Sequence, residues 1–283
     1  MSGAVQAGWA PPSGPPQPAP ERGRPRWLLA ATVAWAVLLA GLTWWSVRHD
    51  PPTVREQRPL SAAARVTDRA VGQLVAATGE AAWVLTEPRL DRGCRVTPMA
   101  DGAAYRRGVD VVLPEGGERA LLDRVAARLP GDWRAGVRSS SSGPRLRADA
   151  GEFVLVQGWV ASPGRVRFAA ETGCRPADTD FADLLPGPPG EPALDEALRA
   201  LGRTAEAGAG SLAAPCPGGG NARTRWATAG AAPAPLAGLK PLAAGAALLD
   251  TPEVYAYRRG PAVVVADVTG ERLRLAASTG CAG

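Results

Sequence analysis

The sequence is short of the side chains on which most catalytic and metal chemistry depends. Among 283 residues there is one histidine, His49, and one lysine, Lys240. Ser-His-Asp or Cys-His catalysis needs a histidine that can meet the nucleophile, and His49 sits beside an apolar run, where an interfacial role suits it. The four cysteines include no CxxC pair, and zinc sites draw on close pairs or on histidine, so no metal ligands are assigned. Phosphate cradles need a glycine loop with lysine or a fixed spacing before a helix; Gly218-Gly219-Gly220-Asn221 has neither and reads as a turn. No catalytic or cofactor-binding residues, and no cofactor, are expected.

Clustered charge of one sign is also missing. Residues 48–283 carry 29 basic and 26 acidic side chains, interspersed along the chain. Nucleic-acid binders gather basic residues against phosphates, so nucleic acid is not an expected partner. Nearly all the basic residues are arginine, which together with abundant Ala, Gly and Pro matches a GC-rich coding bias and is given no functional weight.

Only one stretch is long and wholly apolar. Residues 27–47, WLLAATVAWAVLLAGLTWWSV, contain no ionisable side chain. As a helix they span about 31 Å, against a hydrocarbon core of ~30 Å. Trp27 at one end and Trp44 with Trp45 at the other are the expected membrane-interface anchors, because indoles favour the headgroup boundary. A cleaved signal peptide has a shorter apolar core and small residues at its end, whereas WWSVRHDPP follows here. Residues 27–47 are therefore expected to cross a lipid bilayer once. Orientation is nearly a tie, with Arg22, Arg24 and Arg26 before the helix and Arg48, Arg55 and Arg58 after it; the tighter first cluster favours a cytoplasmic N-terminus.

The cysteines add an independent argument. Cys94, Cys174, Cys216 and Cys281 all lie beyond the apolar run, and structural disulfides form in oxidising compartments, so the bulk of the chain is expected to be extracytoplasmic. A repeat suggests the pairing. PGRVRFAAETGCR at 163–175 and TGERLRLAASTGCA at 269–282 each follow an alternating apolar run, so each half ends in a hairpin entering Thr-Gly-Cys. One bridge per half, Cys94–Cys174 and Cys216–Cys281, is the simplest connectivity. The pentapeptide AYRRG recurs at 104–108 and 256–260, but at unequal distances from the closing cysteines, which makes it a coincidence.

The expected layout is a disordered Pro-rich tail at 1–26, the transmembrane helix at 27–47 and a linker at 48–60. An α+β domain at 61–185 follows, then a PGPPGEP linker at 186–192 and a second α+β domain at 193–283. Helices are expected at 61–78 (capped by Ser61), 116–129 and 193–203, with a further helical segment within 235–249 interrupted by Pro241. Strands are expected at 81–87, 94–98, 105–113, 133–138, 145–149, 152–161, 165–172, 223–229, 253–259, 262–268 and 271–278, with a flexible GAGS region before 223. Strand, helix and antiparallel strands in each half indicate two small α+β domains with antiparallel sheets, possibly duplicated.

The carboxylates Asp178, Asp180 and Asp183 lack the glycine and glutamate positions of an EF-hand loop and read as helix caps or solvated linker. Trp133, Trp159, Tyr255 and Tyr257 read as core or half-buried strand residues rather than a carbohydrate platform. Tail, anchor, GCRVTP, LLDRVAARLPGDWRAGVR and the two TGC endings together resemble the single-pass membrane proteins common in GC-rich actinobacteria. That resemblance is to an architecture and implies an envelope location; it carries no catalytic residues. Three functions are consistent with these features. The first is a membrane-anchored envelope binding or sensing protein, with an envelope protein as a possible partner. The second is an envelope-polymer hydrolase using carboxylates. The third is a signalling anchor working through the Pro-rich tail.

Overall fold

The structure is a computed structural model describing residues 26–49, 58–178, 190–206, 208–232 and 235–281. The Pro-rich tail, most of both linkers, Asp180 and Asp183 lie outside the described residues, as does the side chain of His49. The chain forms two compact units, Met1–Pro51 and Pro52–Gly283.

In the first unit, helix α1 (Arg26–His49) contains one span, Trp27–Ser46, long and apolar enough by length and composition to cross a membrane. Its aliphatic side chains are exposed all round, as are Trp27, Trp44 and Trp45. A helix apolar on every side has no polar face to offer water.

The second unit is α+β. Its first half runs α2 (Leu60–Thr78), β1 (Ala82–Thr97), β2 (Ala100–Val112), α3 (Glu118–Arg128), β3 (Gly136–Ser140), β4 (Gly143–Asp149), β5 (Leu155–Ser162) and β6 (Arg165–Arg175). The second half runs α4 (Pro192–Ala200), β7 (Gly210–Pro215), β8 (Asn221–Ala231), a 3-10 helix (Leu236–Leu242), β9 (Leu249–Asp250), β10 (Val254–Arg259), β11 (Ala262–Asp267) and β12 (Arg272–Thr279). Each half builds a six-stranded sheet, ordered β1-β2-β6-β5-β4-β3 and β7-β8-β12-β11-β10-β9. The strand pairs are antiparallel, and the two orders are the same, so the duplication extends through the whole topology. AYRRG falls in β2 and β10, the second and fourth strands of their sheets, which are not equivalent places.

Cys94 bonds to Cys174 and Cys216 to Cys281, closing loops of 80 and 65 residues. In the chain-entropy account such loops restrict the unfolded state by up to roughly 4 kcal/mol each. Each bridge ties the first hairpin of a sheet to the end of its sixth strand.

Each sheet buries one face under helices. Val71, Leu74, Leu121, Leu122 and Val125 pack onto Val109, Val166 and Phe168 in the first half. Leu194, Leu198 and Leu239 cover Tyr257, Val264, Leu273 and Leu275 in the second. At about 1.5–3 kcal/mol per buried large apolar side chain, these faces supply the main driving force. The halves share core: Leu212, Ala214 and Ala222 of β7 and β8 pack with α2, while Val263 and Val265 pack with Ala82 and Val112.

Several local expectations change. Ser61 is not a cap: α2 begins after Pro59 without a side-chain cap of its own. Asp178 caps it instead, accepting from the Ser61 backbone N–H at 3.2 Å and from the Ser61 hydroxyl at 2.5 Å. The strands expected at 81–87 and 94–98 are one strand, β1, bent by a bulge at Glu87-Pro88 and paired with β2 on both sides of it. The GAGS region opens strand β7. The helical segment around Pro241 is 3-10, since that proline removes a backbone donor. The glycine run 218–220 is the β7–β8 turn, with Gly219 and Gly220 at φ 99° and 72°.

Candidate functional site

Both sheets turn an uncovered face toward one cleft, a cavity of about 570 Å³. Strand alternation decides what lines it. In β6, Val166, Phe168 and Ala170 point to the helices, so Arg165, Arg167 and Ala169 point to the cleft. In β12, Leu273 and Leu275 point to the core, and Arg274 and Ala276 to the cleft. Trp226 of β8 and Trp159 of β5 stand on the two walls, both half-buried.

The lining holds six arginines, Arg89, Arg106, Arg107, Arg165, Arg167 and Arg274, against three carboxylates, Glu87, Asp110 and Asp267. Four of the arginines are engaged. Arg167 grips Asp110 through two bonds of 2.6 Å, and that contact raises the guanidinium pKa. Arg165 bridges the sheets, its guanidinium donating to Asp267 of β11 and lying 4.0 Å from Asp110. Arg106 pairs with Glu171 at 2.6 Å, which also accepts from Gln157 at 2.6 Å. Arg107 is buried and donates to Asp68 of α2 at 2.8 Å and to the Ala213 carbonyl of β7 at 2.7 Å, joining the halves from behind the cleft. Among the described residues, Arg89 and Arg274 have no ion-pair partner; both are exposed, and Arg274 lies 5.9 Å over the Trp226 ring.

This arrangement is suited to holding an anion and poorly suited to acid catalysis. A glycosidase acid needs a carboxyl whose pKa is raised. Burial pushes the Asp267 carboxyl up, but hydrogen bonds from Thr269 and Arg165 outweigh it and leave it below its ordinary value. Asp110 and Asp267 are joined through the same guanidinium, so their oxygens are already engaged. Free guanidinium groups in a partly dry cleft remain to meet a ligand charge.

The sequence-derived candidates lie elsewhere. The four cysteines form the two bridges, and Trp27, Trp44 and Trp45 lie on α1. Trp133, Tyr255 and Tyr257 are buried, and burial pushes the Tyr257 hydroxyl up to about 12. Trp159 alone of that group reaches the cleft. Among the described residues, no group of three or more His, Cys, Asp or Glu side chains converges as metal ligands would. Sequence reading missed the cleft arginines because it weighed their total. The available signal was their alternation with apolar residues, in RVR at 165–167 and RLR at 272–274.

No protein-family model matches the chain, nor does any curated protein or any solved structure. Fold and site define it by themselves, as a duplicated, disulfide-braced α+β protein with an apolar N-terminal helix and an arginine-lined cleft.

Proposed function

We propose that this is a membrane-tethered, extracytoplasmic binding protein of the cell envelope, and that it takes its ligand through an anionic group in the cleft between the two sheets. The observation that carries the reading is the pair of exposed arginines without an ion partner among the described residues, Arg89 and Arg274, in a cleft whose other arginines are held by carboxylates. Location outside the cytoplasm is supported by the two disulfides, which persist in oxidising compartments, and tethering by the Trp27–Ser46 span. A cytoplasmic N-terminus follows from those two together.

Co-sedimentation with washed cell-wall material tests the reading, using the full chain in nanodiscs of zwitterionic lipid. Wild type is expected to sediment and to be released by salt, while Arg89→Glu with Arg274→Glu stays in the supernatant. Equal sedimentation of both, or none of either, overturns it.

A further inference from the structure

We propose that the cleft is the inner end of a trough crossing the open face of the first sheet, and that the trough binds a linear acidic glycan, a chain of sugar rings of which some carry carboxylates. The inference rests on the preceding reading that this face is the binding surface.

Cross-strand register defines the trough. One wall is the row Arg145–Trp159–Arg167–Asp110, running across β4, β5, β6 and β2. The other is the row Leu155–Glu171–Arg106–Arg89, across β5, β6, β2 and β1. Between them the floor row runs Arg147–Gln157–Ala169–Gly108–Thr86; it is low at Ala169 and Gly108, while Gln157 leans onto Glu171 and Arg147 closes the β4 end. Gly108 has no side chain, and a Cβ there would lie 2.5 Å from the Phe168 carbonyl oxygen, so the floor cannot easily be raised. Directly opposed residues of an antiparallel sheet share a face, which keeps each row together. The wall backbones stand four residues apart along the strands, about 13 Å, and five strands measure about 19 Å across. A second cavity of about 220 Å³, lined by Arg106, Arg145, Gln157, Trp159, Ala169 and Glu171, adjoins the first and shares three of its residues.

These dimensions suit one extended chain. A helix, about 10–12 Å wide with its side chains, does not fit once wall side chains fill the gap. An extended peptide gains little either, because β5, β6 and β2 are interior strands and offer it no free backbone groups. The charge pattern narrows the chemistry further. Arg145, Arg89 and Arg274 form no ion pair among the described residues, and they are spaced out along the trough, with Glu87 an unpaired carboxylate beside Arg89. Asp110 and Glu171 sit on opposite walls. A ligand charged at every unit would meet those carboxylates. One with sparse carboxylates and many hydroxyls would instead donate to them. The half-buried Trp159, flanked by Arg145 and Arg167, offers an apolar surface for the C–H face of a sugar ring.

The test measures binding of four probes to the full chain in zwitterionic nanodiscs: a hyaluronan oligosaccharide, in which uronate rings alternate with neutral ones, a neutral maltodextrin of equal length, polyglutamate and polyphosphate. The hyaluronan oligosaccharide is expected to bind best. Trp159→Ala and, separately, Arg145→Gln are each expected to weaken it about tenfold, as truncation of an aromatic or arginine anchor does. Trp159→Phe keeps an aromatic ring in the wall and is expected to retain most of the affinity, which separates lost stacking from lost fold. Tighter binding of polyglutamate or polyphosphate overturns the glycan assignment and leaves the anion-binding reading standing. Equal binding of maltodextrin overturns the acidic requirement. Failure of all four probes while cell-wall co-sedimentation persists overturns the glycan assignment alone; failure of both experiments overturns both readings.

Discussion

The two halves are copies of one topology, and their last strands can be matched residue for residue. RVRFAAETGC at 165–174 corresponds to RLRLAASTGC at 272–281. What differs is the residue each position faces. Arg167 opposes Asp110, whereas its counterpart Arg274 opposes Thr228 on that side; the acid it faces, Asp267, lies on its other side in β11 and is bonded by Arg165 of the first sheet. Glu171 opposes Arg106 in an ion pair, whereas Ser278 opposes Thr224, and their hydroxyls share a buried hydrogen bond of 2.7 Å. Ala169 opposes the floor glycine, Gly108, whereas Ala276 opposes Trp226. One copy thus became a charged platform. The other became a wall, with hydroxyls and small side chains where it meets β1: the Leu85 backbone N–H donates to Thr224 there at 3.0 Å.

Exchanging Glu171 and Ser278 should break this comparison most sharply. Ser278→Glu places a carboxylate at a fully buried position with no arginine opposite, at a cost of several kcal/mol, a large part of ordinary domain stability. Glu171→Ser removes a partly exposed pair and should cost no more than about 1 kcal/mol. Urea melts of the two variants give both values, and similar values for the two would contradict the divergence.

A second pair of copies sharpens it. In each half an arginine of the second strand reaches an aspartate of the preceding helix: Arg107 to Asp68 at 2.8 Å, and Arg225 to Asp195 at 3.8 Å. The Arg107 side chain is 1% exposed and its aspartate 22%; the other pair is 27% and 54% exposed. Arg107→Met should therefore cost about 3–5 kcal/mol, through the stranded Asp68 and the lost inter-half bond to Ala213. Arg225→Met should lie within about 1 kcal/mol of wild type by the same melts.

Acid should act more gently, at the seam between the halves. The folded Asp267 carboxyl lies below its ordinary value of 3.8, so its contribution is present above that value and is lost as pH falls through the folded one. Glu118, held low by the Gly164 backbone N–H, adds a loss of the same sign below 4.5. Melting temperature against pH should thus fall below about pH 4, and less steeply in Asp267→Asn.

Much of this fold was legible from periodicity and punctuation. Leu121, Leu122 and Val125 marked α3, stopped by Pro130, and the twin hairpins before Thr-Gly-Cys marked β5–β6 and β11–β12. Strand β7 was not legible, because Gly-Ser-Leu-Ala-Ala-Pro carries no β-branched residue; tertiary pairing with β8 makes it a strand. The Asp178 cap was legible as a residue type but not as a contact, since 117 positions separate it from Ser61. The cleft was least legible. Its rows depend on register between strands far apart in sequence, and on the Glu87-Pro88 bulge that brings Arg89 opposite Arg106.

The central claim is that ligand binds in the cleft between the two sheets, where Trp159 stands on one wall. Hydroxyl-radical footprinting of the full chain in nanodiscs, with and without cell-wall fragments, tests it directly. Met99, 94% exposed at the tip of the β1–β2 hairpin, provides an internal reference. Trp159 is expected to lose reactivity when fragments are added while Met99 keeps its own. Unchanged reactivity at Trp159, with the fragments demonstrably bound, would contradict it.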